Sequence, residues 1–184
     1  MIRNALAVTI SALLLGACAG APSDKFASEV GAAKDAGHPL VIYQLYTGRY
    51  NTVATGVSLN TGFINTSGRE IDQVTLQVDA YSGGRPVTDH AGQVMSGGVT
   101  AQGNFVPDQS YAAESQPAWA MRGGPEASGY VDCLRLTAIS VRFKDGSTQQ
   151  AEGAQARDML SPQLNGSCSE APALRPGSSP GYGR

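Results

Sequence analysis

Apolar residues recur at every second position through much of this chain. Val57, Leu59, Thr61 and Phe63 are separated by Ser58, Asn60 and Gly62, while Val74, Leu76, Val78 and Ala80 alternate with Thr75, Gln77, Asp79 and Tyr81. A period of two places one set of side chains on a buried face and the other toward water, which predicts half-buried strands. Leu40 to Thr47 is apolar, β-branched and aromatic, and predicts another strand. Val131 to Phe143 predicts a further strong one. Alternation there sets Thr137, Ile139, Val141 and Phe143 on one face, and Leu134 and Leu136 on the other. Val94 to Phe105 contains Gly97, Gly98 and Gly103 and few large apolar residues, so its strands should be short or at an edge. Tyr111 to Trp119 returns to the sheet.

Turn chemistry punctuates these runs. Asn65-Thr66-Ser67-Gly68, Gly83-Gly84-Arg85-Pro86 and Lys144-Asp145-Gly146-Ser147 each reverse the chain, and Arg122-Gly123-Gly124-Pro125 reads as loop. Gln155 to Leu160 predicts a turn or two of helix before Pro162. About seven short strands without helical blocks between them predict a single antiparallel β-sandwich over 40–168. Ahead of it, Phe26, Val30 and Ala33 have helical spacing after Ser23-Asp24, but Gly31 and Gly37 weaken a helix. The stretch 18–39 is therefore expected to act as a spacer. Residues 169–184 carry Pro172, Pro176 and Pro180 among Gly and Ser, and predict a disordered tail.

The first 17 residues follow a different logic. Arg3 supplies a positive charge, and Ala5 to Leu15 is apolar apart from Thr9 and Ser11. A run of this length is too short to span a hydrocarbon core of roughly 30 Å, which needs about 20 residues, so 1–17 reads as a signal peptide. It closes on Leu15-Gly16-Ala17-Cys18. These four residues resemble the lipobox of bacterial lipoproteins, an aliphatic and two small residues before a cysteine. The resemblance implies cleavage before Cys18, a thioether-linked diacylglycerol on its sulfur and acylation of the new amino group. Ordinary secretion with cleavage at Ala17 or Ala19 is the alternative. The residue after Cys18 is Ala19 rather than the aspartate resembling an inner-membrane retention signal, which favours the periplasmic face of the outer membrane.

A second likeness concerns the domain. Gly62-Phe63-Ile64-Asn65, the run Ile71 to Tyr81 and Gly84-Arg85-Pro86-Val87 resemble bacterial FxLYD-type domains, which carry a V-x-N-x-S strand, a V-x-V-x-x-Y strand and a G-x-x-V turn. The resemblance implies an immunoglobulin-like sandwich and names no ligand.

Composition narrows the function classes. Hydrophobic residues make up 41% and charged residues 15%, with 23 glycines and a net charge of −2. No basic patch or RNA-binding aromatic motif is present, which argues against a nucleic-acid partner. Of the three cysteines, lipidation of Cys18 leaves Cys133 and Cys168, and in an oxidising envelope an even remainder reads as a disulfide rather than two free thiols. The bridge would tether Gln149 to Gly166, a stretch with few apolar residues.

Chemistry-bearing residues are sparse. Asp89-His90 is the one adjacent acid–imidazole pair, with Ser58, Ser82 or Ser96 as nominal nucleophiles, but none stands in a strand–turn–helix elbow. His38 and His90 are far apart, and no Cys-x-x-Cys or His-x-x-x-His spacing exists. Glu70, Asp72 and Asp79 are neighbours in sequence; Asp72 and Asp79 could bracket calcium, but a turn for Asp72 and a solvated strand face for Asp79 account for them better. Gly83-Gly84 and Gly97-Gly98 lack the lysine and helix of a phosphate loop. Tyr46, Tyr50, Trp119 and Met121 could form a recognition patch, against a core position for the lone Trp. The expectation is a non-enzymatic, lipid-anchored envelope module without cofactor or metal, binding a protein partner. A glycan-, lipid- or calcium-binding module using Tyr46, Tyr50, Asp72 and Asp79 is the alternative, and a hydrolase around Asp89-His90 the third reading.

Overall fold

The computed structural model describes residues 24–51, 55–88, 91–120, 131, 133–164 and 168. Among the described residues, eight antiparallel-paired strands follow one another between two short helices: α1 (Asp24–Asp35), β1 (Leu40–Asn51), β2 (Thr55–Asn65), β3 (Ile71–Ser82), β4 (Arg85–Pro86), β5 (Ser96–Phe105), β6 (Ser110–Ala120), β7 (Cys133–Phe143), β8 (Thr148–Glu152) and α2 (Gly153–Arg157). One sheet has the order β1-β2-β6. The other runs β4-β3-β7-β8, with β5 also paired to β3. Adjacent strands within each sheet run antiparallel throughout. This is the expected immunoglobulin-like β-sandwich, with its fourth long strand, β5, placed beside β3 in the second sheet.

Alternation explains which faces meet. Val74, Leu76, Val78 and Ala80 of β3 are buried, and they pack in one core with Leu40, Ile42 and Leu45 of β1 and Leu59 and Phe63 of β2. Phe63, Phe105 and Tyr111 close one end as an aromatic cluster, with ring centroids 4.9–5.9 Å apart. The Tyr111 hydroxyl there accepts the Val106 N–H at 2.8 Å. β5 lies at a sheet edge, as its glycines predict.

Two expectations need correction. Leu134 and Leu136 share the buried face with Ile139, Val141 and Phe143 instead of opposing it. The register explains this: Gln77 pairs with Ala138 but Val78 pairs with Leu136, so Thr137 is an extra residue in β7. Such a bulge reverses the phase of the alternation and returns both halves of the strand to the core.

The other concerns the N-terminal side. Much of the supposed spacer is α1, which lies against β1 and buries Val30 and Ala33. Phe26 packs on Tyr43 at 5.3 Å. Val41 and Ile64, opposite each other in the β1–β2 register, are buried although alternation turns them away from the Leu40–Ile42 core face. Apolar side chains on that outer face need a cover, and a helix presenting Phe26, Val30 and Ala33 supplies one.

Asn65 organises the end of the sandwich. Fully buried, it donates through Nδ2 to the carbonyls of Arg69 and Phe105 at 2.7 and 2.8 Å, and its Oδ1 accepts from Ser67 N–H and Oγ at 3.0 and 2.7 Å. The β2–β3 and β7–β8 turns meet beside it, where Arg69 reaches Asp145 and lies 3.8 Å over the Phe143 ring. Beyond α2 the chain returns to β1: Ile42 N–H donates to Met159 O and Ser161 N–H to Ile42 O, both at 2.8 Å, and Leu160 makes a parallel bridge to Ile42.

Candidate functional site

The two later cysteines are joined. Cys133 opens β7 and Cys168 lies beyond the β1 return, with S–S 2.07 Å and Cα–Cα 5.1 Å. The Cys168 N–H donates to the Leu134 carbonyl at 3.0 Å, so the closing segment is held at β7 by backbone as well as sulfur.

The residues nominated for calcium are spent on structure. Asp72 accepts from Arg142, Nε at 2.8 Å and Nη2 at 2.6 Å; Glu70 pairs with Lys144 at 2.7 Å; Asp79 accepts from Ser96 Oγ at 2.6 Å. Both aspartates lie on β3 of the second sheet. Tyr46 lies on β1 of the first, 48% exposed, opposite Asn60. The structure therefore does not bring Tyr46 together with Asp72 and Asp79. No group of three or more potential metal ligands occurs among the described residues.

Of the nominal nucleophiles, Ser58 is buried and accepts from Asn60 Nδ2 at 3.2 Å, while Ser96 donates to Asp79. Ser82 ends β3. Asp89 and His90 lie outside the described residues, as do Cys18, Met121, residues 1–17 and 169–184, and the side chains of Tyr50 and Trp119.

What the structure assembles instead is a groove of about 380 Å³ on the outer side of the first sheet. One wall is α1 and the turn after it, contributing Ala32, Ala33 and Ala36; the other is the Asp158–Pro162 return, with Val41 of β1 between them. Short alanines on this wall leave the space open. Glu29, His38 and Asp158 add polar groups. Glu29 Oε1 accepts from Gln163 Nε2 at 2.7 Å, whereas its Oε2 is shielded from solvent and has no hydrogen-bond partner. Sequence reasoning missed this site. The helical spacing of Phe26, Val30 and Ala33 was its only signal, because the facing wall arrives from more than a hundred residues further along.

No protein-family model matches this chain, and no curated protein does. The groove and the disulfide are thus read from their own chemistry.

Among the described residues, two titrating groups elsewhere are perturbed. Burial raises the Tyr43 phenol above its usual value, partly opposed by a hydrogen bond with Ser110; the phenol donates to the Tyr111 carbonyl at 3.4 Å. Asp145 is held below the usual carboxylate range by hydrogen bonds from the Ser147 hydroxyl and N–H, with Arg69 contributing less.

Proposed function

We propose that the chain is a lipoprotein of the bacterial envelope, cut before Cys18, anchored by acyl chains on that cysteine, and serving as a non-enzymatic module that binds a protein partner at the periplasmic face of the outer membrane. The observation that carries the reading is the cysteine accounting. Three cysteines are present; Cys133 and Cys168 lie at bridging distance, and a disulfide belongs to an oxidising compartment. That leaves Cys18 directly after Leu15-Gly16-Ala17. Each buried acyl CH₂ contributes about 0.8 kcal/mol, so two or three chains hold a protein at a bilayer almost permanently.

A binding role suits the architecture. Immunoglobulin-like sandwiches present sheet edges and end loops on a rigid frame, and the described ion pairs here serve turns and strands. The test is detergent partitioning. The native chain is expected in the detergent phase and Cys18→Ala in the aqueous phase. Equal partitioning of the two would refute the anchor. Crosslinking in native envelopes that yields no reproducible protein partner would refute the binding role.

A further inference from the structure

We propose that β5 is the surface through which two copies of this chain associate, its free edge pairing antiparallel with the same edge of a second copy about a two-fold axis at Thr100. This goes beyond the reading above and needs neither the anchor nor a foreign partner. Among the described residues β5 pairs with β3 alone. An unpaired strand edge is a template for strand addition, and proteins blunt such edges with charges, proline, bulges, short length or a covering segment. The other edges carry these devices. β1 has a register shift at Tyr43 and the Met159–Ser161 return on Ile42. β6 contains Glu114 and Pro117, and β8 has 5 residues and runs into α2. β5 has 10 residues and contains no charged residue and no proline. From Gln102 back to Ser96 it follows β3 without a shift.

The direction of each main-chain group on β5 follows from β3. The Ala80 N–H donates to the Met95 carbonyl at 2.9 Å. Main-chain groups alternate sides along a strand, so Gly97, Val99 and Ala101 turn theirs to β3, and Gly98, Thr100 and Gln102 turn theirs outward. All three outward residues are exposed. Their side chains stay off the edge: the Thr100 hydroxyl meets that of Thr75 at 3.2 Å, and Gln102 Nε2 donates to Gln73 Oε1 at 3.3 Å. The edge is also its own complement. Setting Thr100 opposite Thr100 of a second copy places Gly98 opposite Gln102, Val99 opposite Ala101 and Gly97 opposite Gly103. The longest outward side chain then faces bare backbone, two threonines meet across the axis, and no like charges oppose each other. Main-chain hydrogen bonds form in both directions at Gly98, Thr100 and Gln102. A foreign strand would make no such demand on the sequence of β5, so this self-match favours a second copy. Val94, 41% exposed just ahead of β5, lies beside the join. A two-fold pairing of this kind consumes both edges and stops at a dimer.

The test is sedimentation equilibrium of the full mature chain in a density-matched neutral detergent, with amide hydrogen exchange followed by NMR. A monomer–dimer equilibrium is expected, and Thr100→Lys or Thr100→Asp alone should weaken it at least about tenfold, because like charges then face each other at the axis. An equimolar mixture of the two variants should restore it, since lysine then meets aspartate. On dilution of the native chain, exchange should quicken at Gly98, Thr100 and Gln102 while Gly97, Val99 and Ala101 stay protected. A native chain that remains monomeric up to about 1 mM, dimers that survive both single variants, a mixture no better than either variant, or protection at Gly98, Thr100 and Gln102 that persists at every dilution each overturn the proposal. If the variants fail to fold, the dilution dependence of exchange in the native chain decides.

Discussion

Breaking the Cys133–Cys168 bridge is expected to cost about 4 kcal/mol. The bridged residues are 35 apart in sequence, and closing a loop of that length removes about 13 cal/mol/K from the unfolded chain, or about 4 kcal/mol at 25 °C. Small domains have total stabilities of about 5–15 kcal/mol, so the loss is a large fraction. The native state changes little, because the Cys168 N–H bond to Leu134 and the Ile42 pairing with Met159 and Ser161 do not need the sulfur. The effect therefore belongs mainly to the unfolded state. Urea denaturation of the native chain against Cys133→Ser/Cys168→Ser measures it. The midpoint should fall, and the slope should rise slightly, because an uncrosslinked unfolded chain exposes more surface. A loss below about 1 kcal/mol would refute the chain-entropy reasoning. A reduced slope with an early transition would show instead that 153–168 detaches as a unit.

Other perturbations follow from local geometry. Gly98→Ala would set a Cβ 2.8 Å from the Leu76 carbonyl, forcing β5 away from β3 at a cost of about 1–3 kcal/mol; Gly31→Ala meets nothing within 4 Å in mid-helix and should stabilise by about 0.5–1 kcal/mol. Thermal melts showing the same sign for both would refute the packing argument. Asn65→Ala removes the side-chain donor from the Phe105 carbonyl and leaves the Arg69 carbonyl only the Ser67 hydroxyl; it should cost about 2–4 kcal/mol by urea titration, a change under 0.5 being incompatible with its role. Asp145 should titrate by NMR below 3.8, with Ser147→Ala moving it back up. Because its folded pKa is the lower one, its contribution is present at neutral pH and is lost as pH falls from the unfolded value through the folded value; an unmoved pKa in Ser147→Ala would contradict the cause assigned.

The sandwich was legible because β3 keeps strict alternation from Val74 to Ala80, and because turn residues mark both its ends. β7 was harder to read. One bulged residue, Thr137, inverts the phase, and nothing local distinguishes a bulge from a strand buried on both faces. α1 was discounted for Gly31 and Gly37, yet Gly37 lies beyond its end with φ 71°, where such a residue terminates a helix. Intrinsic propensity argued against a helix that tertiary cover of Val41 and Ile64 stabilises. The groove was least legible of all. Glu29 and Gln163 meet across 134 positions, and no periodicity reports such a meeting.

The return of Met159–Ser161 to Ile42 bears on colloidal behaviour. A first strand at the margin of a sheet offers free amides and carbonyls to any passing copy, a common seed of fibrillar stacking. Here the polypeptide's own later stretch takes up both outward groups of Ile42, so growth by recruiting identical molecules is blocked at that point. Where many copies crowd together, that small self-cover protects the population as well as the monomer.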